Sequence, residues 1–164
     1  MSEWQRTTIE VDGPRVPSDV RDALQRYATA HGLEAALNAS PRAAIETVST
    51  RLVGRIRKRE ERTYHLAWLT DALLVLAVQR EEGATPSVHA FRLAELDLDS
   101  SLAGFAASVG LADAYADGIP LTALPLGGTQ RGSYFLPAAH GPAGDAFRAR
   151  LHEALHEAGN PTAG

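Results

Sequence analysis

The feature that most constrains this chain is a succession of short apolar segments, joined at hairpin spacing, between residues 42 and 98. Ile45, Thr47, Val48, Thr50, Leu52, Val53 and Ile56 form a β-branched, roughly alternating stretch after Pro41. Such residues fit a pleated, half-buried surface better than a helix. The charged run Arg57-Lys58-Arg59-Glu60-Glu61-Arg62 reads as a hairpin tip. Thr63 to Leu69 then alternates, with Tyr64, Leu66 and Trp68 on one side, and Thr70-Asp71 reads as a turn. Leu73 to Val78 is almost continuously apolar and is bounded by Glu81-Glu82-Gly83. Ser87 to Leu98 supplies a further strand, with Val88, Ala90 and Arg92 on one face and His89, Phe91 and Leu93 on the other.

The flanks have a different texture. Residues 1–16 are polar and read as an arm or a short edge strand. Pro17-Ser18-Asp19 predicts a helix start with Ser18 as cap, Val20, Leu24, Tyr27 and Ala28 mark one buried face, and Gly32 ends the helix. Leu33 to Ala39 fits one more short helical piece. Gly104 to Leu111 is ambiguous, a connection or a short strand. Ile119 to Leu126 is weakly strand-like, and Pro120 and Pro125 confine it to an edge. Ser133 to Leu136 is a short aromatic strand, and Asp145 is expected to cap a closing helix, Ala146 to Ala158. The expectation is a single α+β, mainly β domain over 1–164. It divides into an N-terminal arm and helix (1–41), a barrel or sandwich of about six or seven antiparallel strands with its C-terminal helix (42–158), and a tail (159–164).

Bulk properties remove several functions. The chain has 164 residues, net charge −4 and no cysteine, so disulfides, thiolate chemistry and cysteine zinc sites are excluded. An acidic molecule gains nothing overall from the field of a nucleic acid, so no nucleic-acid partner is expected. Met1 to Glu10 carries Glu3, Trp4 and Arg6 with no apolar region, so no signal peptide is expected; the longest apolar run, Ala72 to Val78, is far short of a membrane span, so no transmembrane segment is expected, and a cytoplasmic location is the default. No cofactor is implied. Fifteen arginines against the single Lys58 read as compositional bias.

Three stretches carry a resemblance. Arg51-Leu-Val-Gly-Arg, followed by Tyr64-His-Leu-Ala-Trp-Leu-Thr-Asp-Ala-Leu-Leu-Val-Leu, is similar to the first hairpin of bacterial pleckstrin-homology-like (PH-like) domains. In that hairpin an apolar strand ends in Leu-Thr-Asp and the next strand follows at once. Val88 to Leu98 is placed like the strand after it. Gly132-Ser-Tyr-Phe-Leu-Pro and the helix from Asp145 look like the family's last strand and capping helix. The resemblance covers roughly residues 42–158 and leaves the N-terminal helix outside it. It implies a barrel closed by a helix, a binding or scaffolding role, and no shared catalytic residues.

One motif argues for chemistry. His152-Glu153-Ala154-Leu155-His156 matches H-E-x-x-H, in which two imidazoles one turn apart hold Zn²⁺ and the glutamate polarises its water. The third histidine of the extended motif would fall on Thr162. Phe147, Leu151, Ala154, Leu155 and Ala158 define the apolar stripe, which puts His152 and His156 on the polar side of the helix with Arg148, Glu153 and Glu157. His152 and His156 therefore stand as weak metal candidates on a solvated helix face.

Arg51, Arg55, Arg57, Lys58, Arg59 and Arg62 place six of sixteen cations within twelve residues. Such a cluster at a loop mouth grips phosphates or an acidic lipid. The competing reading is a hairpin tip kept from edge aggregation by charge. Gly127-Gly128-Thr129-Gln130-Arg131-Gly132 lacks the ending of a phosphate loop and reads as a turn. Glu95, Asp97 and Asp99 read as a polar strand face rather than a Ca²⁺ site. No nucleophile elbow surrounds Ser133, so pairing with His140 is not expected. Tyr64, Trp68, Tyr134 and Phe135 read as core or half-exposed strand residues.

The functional expectations follow in order. First comes a non-enzymatic interaction or scaffolding module, with a protein partner or self-association that the helix at 18–31 can serve. Second comes a peripheral binder of anionic lipid or phosphate through the 51–62 hairpin, at the membrane surface. Third comes a small zinc hydrolase using His152, Glu153 and His156.

Overall fold

The computed structural model describes residues 4–11, 16–98 and 117–159. The chain is mostly β, with two antiparallel sheets and a C-terminal helix. The first sheet is a five-stranded meander of β1 (Gln5–Glu10), β2 (Ala43–Val53), β3 (Arg59–Leu69), β4 (Leu73–Gln79) and β5 (Ser87–Arg92), in that order. The second holds β6 (Asp97–Leu98), β7 (Gly118–Ala123) and β8 (Gly132–Pro137). Helix α1 (Ser18–His31) and the one-turn α2 (Glu34–Asn38) lie between β1 and β2, and α3 (Pro142–Glu157) closes the order. The described residues thus hold eight strands.

The register explains how one sheet serves two cores. Ile45 pairs with Ala67 and Ala67 with Leu76, while Leu69 pairs with Leu74 and Leu74 with Phe91, so all six point to one face. On that face they meet Leu121, Ala123 and Leu136 of the second sheet and Phe147, Leu151, Ala154 and Leu155 of α3. Tyr134 packs on Phe91 with ring centroids 4.7 Å apart. The opposite face presents Ala44, Leu66 and Ala77, which Val20 of α1 covers together with Val11 and Val16. Tyr64 and Trp68 are half-buried against the same cluster. Strand β4 is buried on both faces, which accounts for its unbroken apolar sequence. The apolar face of α1 is spent on the sheet, so it is not free for a partner or a second copy.

Several local expectations are corrected. Among the described residues the two sheets do not close into a barrel, which leaves the sandwich of the two alternatives. Between them the described residues show one isolated bridge, Phe91 to Pro125, supported by Leu126 N–H donating to Ala90 O at 2.9 Å. The other seam is made of side chains. Ala139 N–H donates to Thr8 Oγ1 at 2.8 Å, and Thr47 Oγ1 donates to Pro137 O at 2.8 Å. Thr47 has one hydroxyl proton, so Thr8 must donate across the 2.8 Å contact between the two hydroxyls. The stretch 87–98 is broken by a 3₁₀ turn at Leu93–Glu95. Strand β7 lies in the middle of its sheet rather than at an edge. Pro120 fits there because β6 reaches only Leu121 and Thr122. Ser18 is the first residue of α1 and makes no side-chain cap, because Pro17 occupies the cap position. Helix α3 starts at Pro142 after Gly141, three residues before Asp145. Gly32 ends α1 in the left-handed conformation at φ 69°, as expected. The ambiguous stretch Gly104–Leu111 and Asp99 lie outside the described residues.

Leu151→Ala should therefore cost about 3 kcal/mol in urea unfolding, because it empties a site shared by both sheets and α3. His152→Ala, one position further on, should stay within about 0.5 kcal/mol. Equal costs would contradict the assigned helix face.

Candidate functional site

Strands β2 and β3 pair through eleven rows, from Ala43–Leu69 to Val53–Arg59. Their neighbours stop earlier: β4 pairs no further than Tyr64, and β1 no further than Gln5 opposite Thr50. Past the row Gln5–Thr50–Arg62 the hairpin continues for three residues a side, roughly 10 Å, with no further strand paired to it among the described residues, before its turn. Gly54 makes that turn at φ 111°, and a Cβ there would collide with the carbonyl of Arg57. The strand ends at Val53, so Ile56 leaves the alternating pattern and enters the tip.

The six cations of the expected site divide into two groups. Arg51 is held down. Its Nε and Nη2 both lie 2.8 Å from Glu61 Oε2, and its guanidinium lies 4.4 Å from the centre of the Trp4 ring. Arg59 is 3.3 Å from Glu61 and 3.9 Å from Glu81. The hydrogen bond from Arg51, aided by Arg59, holds the Glu61 carboxyl below the usual range. Arg55, Arg57, Lys58 and Arg62 are exposed, and none makes an ion pair among the described residues. Residues 51–62 carry six cations and two carboxylates, +4 in all, so the remainder of a −4 chain carries −8. The charge is segregated, with the positive pole at the end of the hairpin.

Two apolar side chains share that pole, and sequence reasoning assigned them to the strand. Ile56 is 98% exposed and Leu52 59%. The available signal was Gly54 followed by Arg55 and Arg57, which ends the strand and strands Ile56 between two charges.

The H-E-x-x-H residues sit elsewhere. His152 and His156 are exposed on α3, away from its buried stripe. Both glutamates of that face are engaged by Arg42, which lies 3.6 Å from Glu153 and binds Glu157 in two-pronged fashion at 2.5 and 2.9 Å. Among the described residues no three His, Asp or Glu side chains gather as a metal-binding group. Asp97 is occupied by Arg131 at 2.5 Å. Gly127 and Gly128 form a turn in which Gly128 N–H bonds Pro125 O at 2.9 Å. Ser133 and His140 lie at opposite ends of β8, and roughly 13 Å of strand separates Ser133 from Pro137 alone. His140 instead lies 4.0 Å from Asp117 and 3.9 Å from Asp145.

One half-buried group escaped the sequence reading altogether. His65 lies between Thr47 and Val78 on the inner face, and its Nδ1 is buried without a hydrogen-bond partner among the described residues. Burial, then the charges of Arg6 and Arg80, push its pKa down to about 4. Among the described residues no helix is long and apolar enough to cross a membrane. Comparison with protein-family models, with curated proteins and with solved structures finds no match.

Because His65 titrates near 6.5 when unfolded and near 4 when folded, the unfolded chain takes up the proton first as pH falls. Its contribution is complete above pH 6.5 and shrinks between pH 6.5 and 4, a loss of about 1–2 kcal/mol between pH 7 and pH 5. Burial lowers His89 in the same direction, so the difference between parent and His65→Gln isolates His65. Urea titrations at the two pH values should show a flatter dependence in the variant. An unchanged dependence would mean that His65 is not held neutral.

Proposed function

We propose that this chain is a non-catalytic interaction module of PH-like type whose ligand is an anionic surface or phosphate group gripped by the β2–β3 hairpin. The order of elements supports the PH-like part. With β1, α1 and α2 set aside, the described residues run through a four-stranded meander, a three-stranded sheet and a closing helix. That is the order which the hairpin, strand and helix stretches of the sequence suggest.

The observation that carries the ligand reading is the charge segregation: +4 in residues 51–62 of a chain whose remainder is −8, with Arg55, Arg57, Lys58 and Arg62 in no ion pair among the described residues. Three exposed cations at the end of a protruding ribbon, with Arg62 in the row behind them, form a concentrated field that orients the molecule tip-first toward an anionic target. The acidic body would be repelled by the same target, which limits contact to the hairpin.

Co-sedimentation with phosphatidylserine-containing and with purely phosphatidylcholine vesicles, at low and at physiological ionic strength, tests this. Binding should be confined to the anionic vesicles and weaken with salt. The triple variant Arg55→Ser, Arg57→Ser, Lys58→Ser should lose roughly a hundredfold in affinity, at about 1 kcal/mol per cation. Arg51→Ser and Arg59→Ser are poorer tests, since both side chains also hold Glu61. Binding that ignores vesicle charge, or survives the triple variant, would sink the reading.

A further inference from the structure

The tip of the hairpin is amphipathic, not simply basic. Ile56 is 98% exposed, flanked in sequence by Arg55 and Arg57, with Lys58 next. Leu52, 59% exposed, precedes the turn on the same projecting ribbon, opposite Glu60. The described residues hold only one other large hydrophobic side chain so open to water, Ile9 at 43%. Two of the three therefore lie on the short segment that carries Arg55, Arg57 and Lys58.

A soluble phosphate or a polyanion in water offers nothing to an isoleucine ringed by cations. A bilayer surface offers both halves of the match: phosphates and carboxylates at headgroup level for the arginines, and acyl chains a few ångströms deeper for the apolar side chain. Arginine and lysine stems reach up to headgroups while a neighbouring apolar side chain goes down, so the two contacts do not compete for depth. The lone ribbon projects roughly 10 Å past the three-stranded row, of the order of the 5–10 Å to which an interfacial element sinks. Gly54 keeps the turn tight, so the apolar and cationic side chains leave from one compact tip.

We propose that Ile56 is a membrane-inserting anchor, with Leu52 at the interface behind it, and that the ligand of the basic hairpin is therefore the surface of an anionic lipid bilayer. This rests on the anionic-surface reading above and names its source. Insertion adds a component that salt does not screen. Residual binding at high ionic strength belongs to Ile56 and the salt-sensitive part to the cations.

The full-length chain is assayed on phosphatidylserine-containing vesicles as parent, as Ile56→Ser, as Ile56→Trp and as the Arg55, Arg57, Lys58 triple serine variant, with soluble inositol hexakisphosphate and heparin as competitors. Ile56 is fully exposed, so its variants should keep the parent's thermal midpoint, which circular dichroism checks. Ile56→Ser should weaken vesicle binding about tenfold and leave heparin binding unchanged. Tryptophan at position 56 should shift to the blue on binding, and lipids brominated on the acyl chain should quench it beyond the Trp4 and Trp68 background of the parent. If Ile56→Ser binds vesicles like the parent and Trp at 56 is not quenched, while the triple variant fails to bind, insertion is overturned and the anionic-surface reading stands. Soluble polyphosphate that binds as tightly as vesicles of equal charge, and equally in both Ile56 forms, would identify a free phosphate ligand instead. No binding to vesicles, inositol hexakisphosphate or heparin would overturn both.

Discussion

Everything in this molecule hangs on the pairing of β2 with β3. Its proximal rows place Ile45, Ala67 and Leu69 against the second sheet and α3, and place Ala44 and Leu66 against the cluster that α1 covers. Its distal rows run past every neighbouring strand among the described residues and carry the charged tip. A one-residue slip would exchange the two faces. Ile45 and Leu69 would turn to α1, and the polar Thr47 and His65 would leave the inner face. The register is over-determined for that reason: both faces are buried near the body, and only at the tip is the ribbon free of packing.

The inner face also shows how a two-sheet arrangement holds together without closing into a barrel. Among the described residues, backbone pairing between the sheets is reduced to one bridge at Phe91 and Pro125, and the opposite seam is carried by the hydroxyls of Thr8 and Thr47. Those hydroxyls satisfy the carbonyl of Pro137 and the N–H of Ala139, groups that burial would otherwise leave unpaired at a cost of about 1–3 kcal/mol each. Next to this seam, His65 is kept neutral by burial and by Arg6 and Arg80. The polar side of the core is thus stabilising near neutral pH and acid-sensitive.

On the surface, ion pairs separate structural cations from available ones. Arg42 ties the end of α3 to the sheet through Glu153 and Glu157, and in doing so engages the acidic side of the H-E-x-x-H helix face. Arg131 ties the β7–β8 connection to Asp97. Arg51 and Arg59 share Glu61. Arg55, Arg57 and Lys58, which make no ion pair among the described residues, stand together at the hairpin tip beside Ile56, and this pairing of charge with exposed apolar surface supports the membrane-facing role proposed there.

Much of the architecture was legible in local pattern. The alternation around Ile45–Val53 and Thr63–Leu69, the unbroken Leu73–Val78 and the glycine stop at Gly32 report on backbone periodicity and on φ, which a residue and its near neighbours set. The amphipathic phase of α3 likewise placed His152 and His156 in solvent. Other properties depend on residues far apart in the chain and were settled only by folding. These include the central place of β7 despite Pro120, the absence of barrel closure, the burial of α1's apolar face and the isolation of His65. The candidate site divides along the same line. Its cluster of cations was plain in residues 51–62, since charge is a property of composition. Which of them are neutralised depends on where Glu61, Glu81 and Trp4 arrive in space, and the exposure of Ile56 depends on neighbouring strands stopping short of the tip. Burial and charge pairing are sums over spatial neighbours, and only the tertiary structure supplies those.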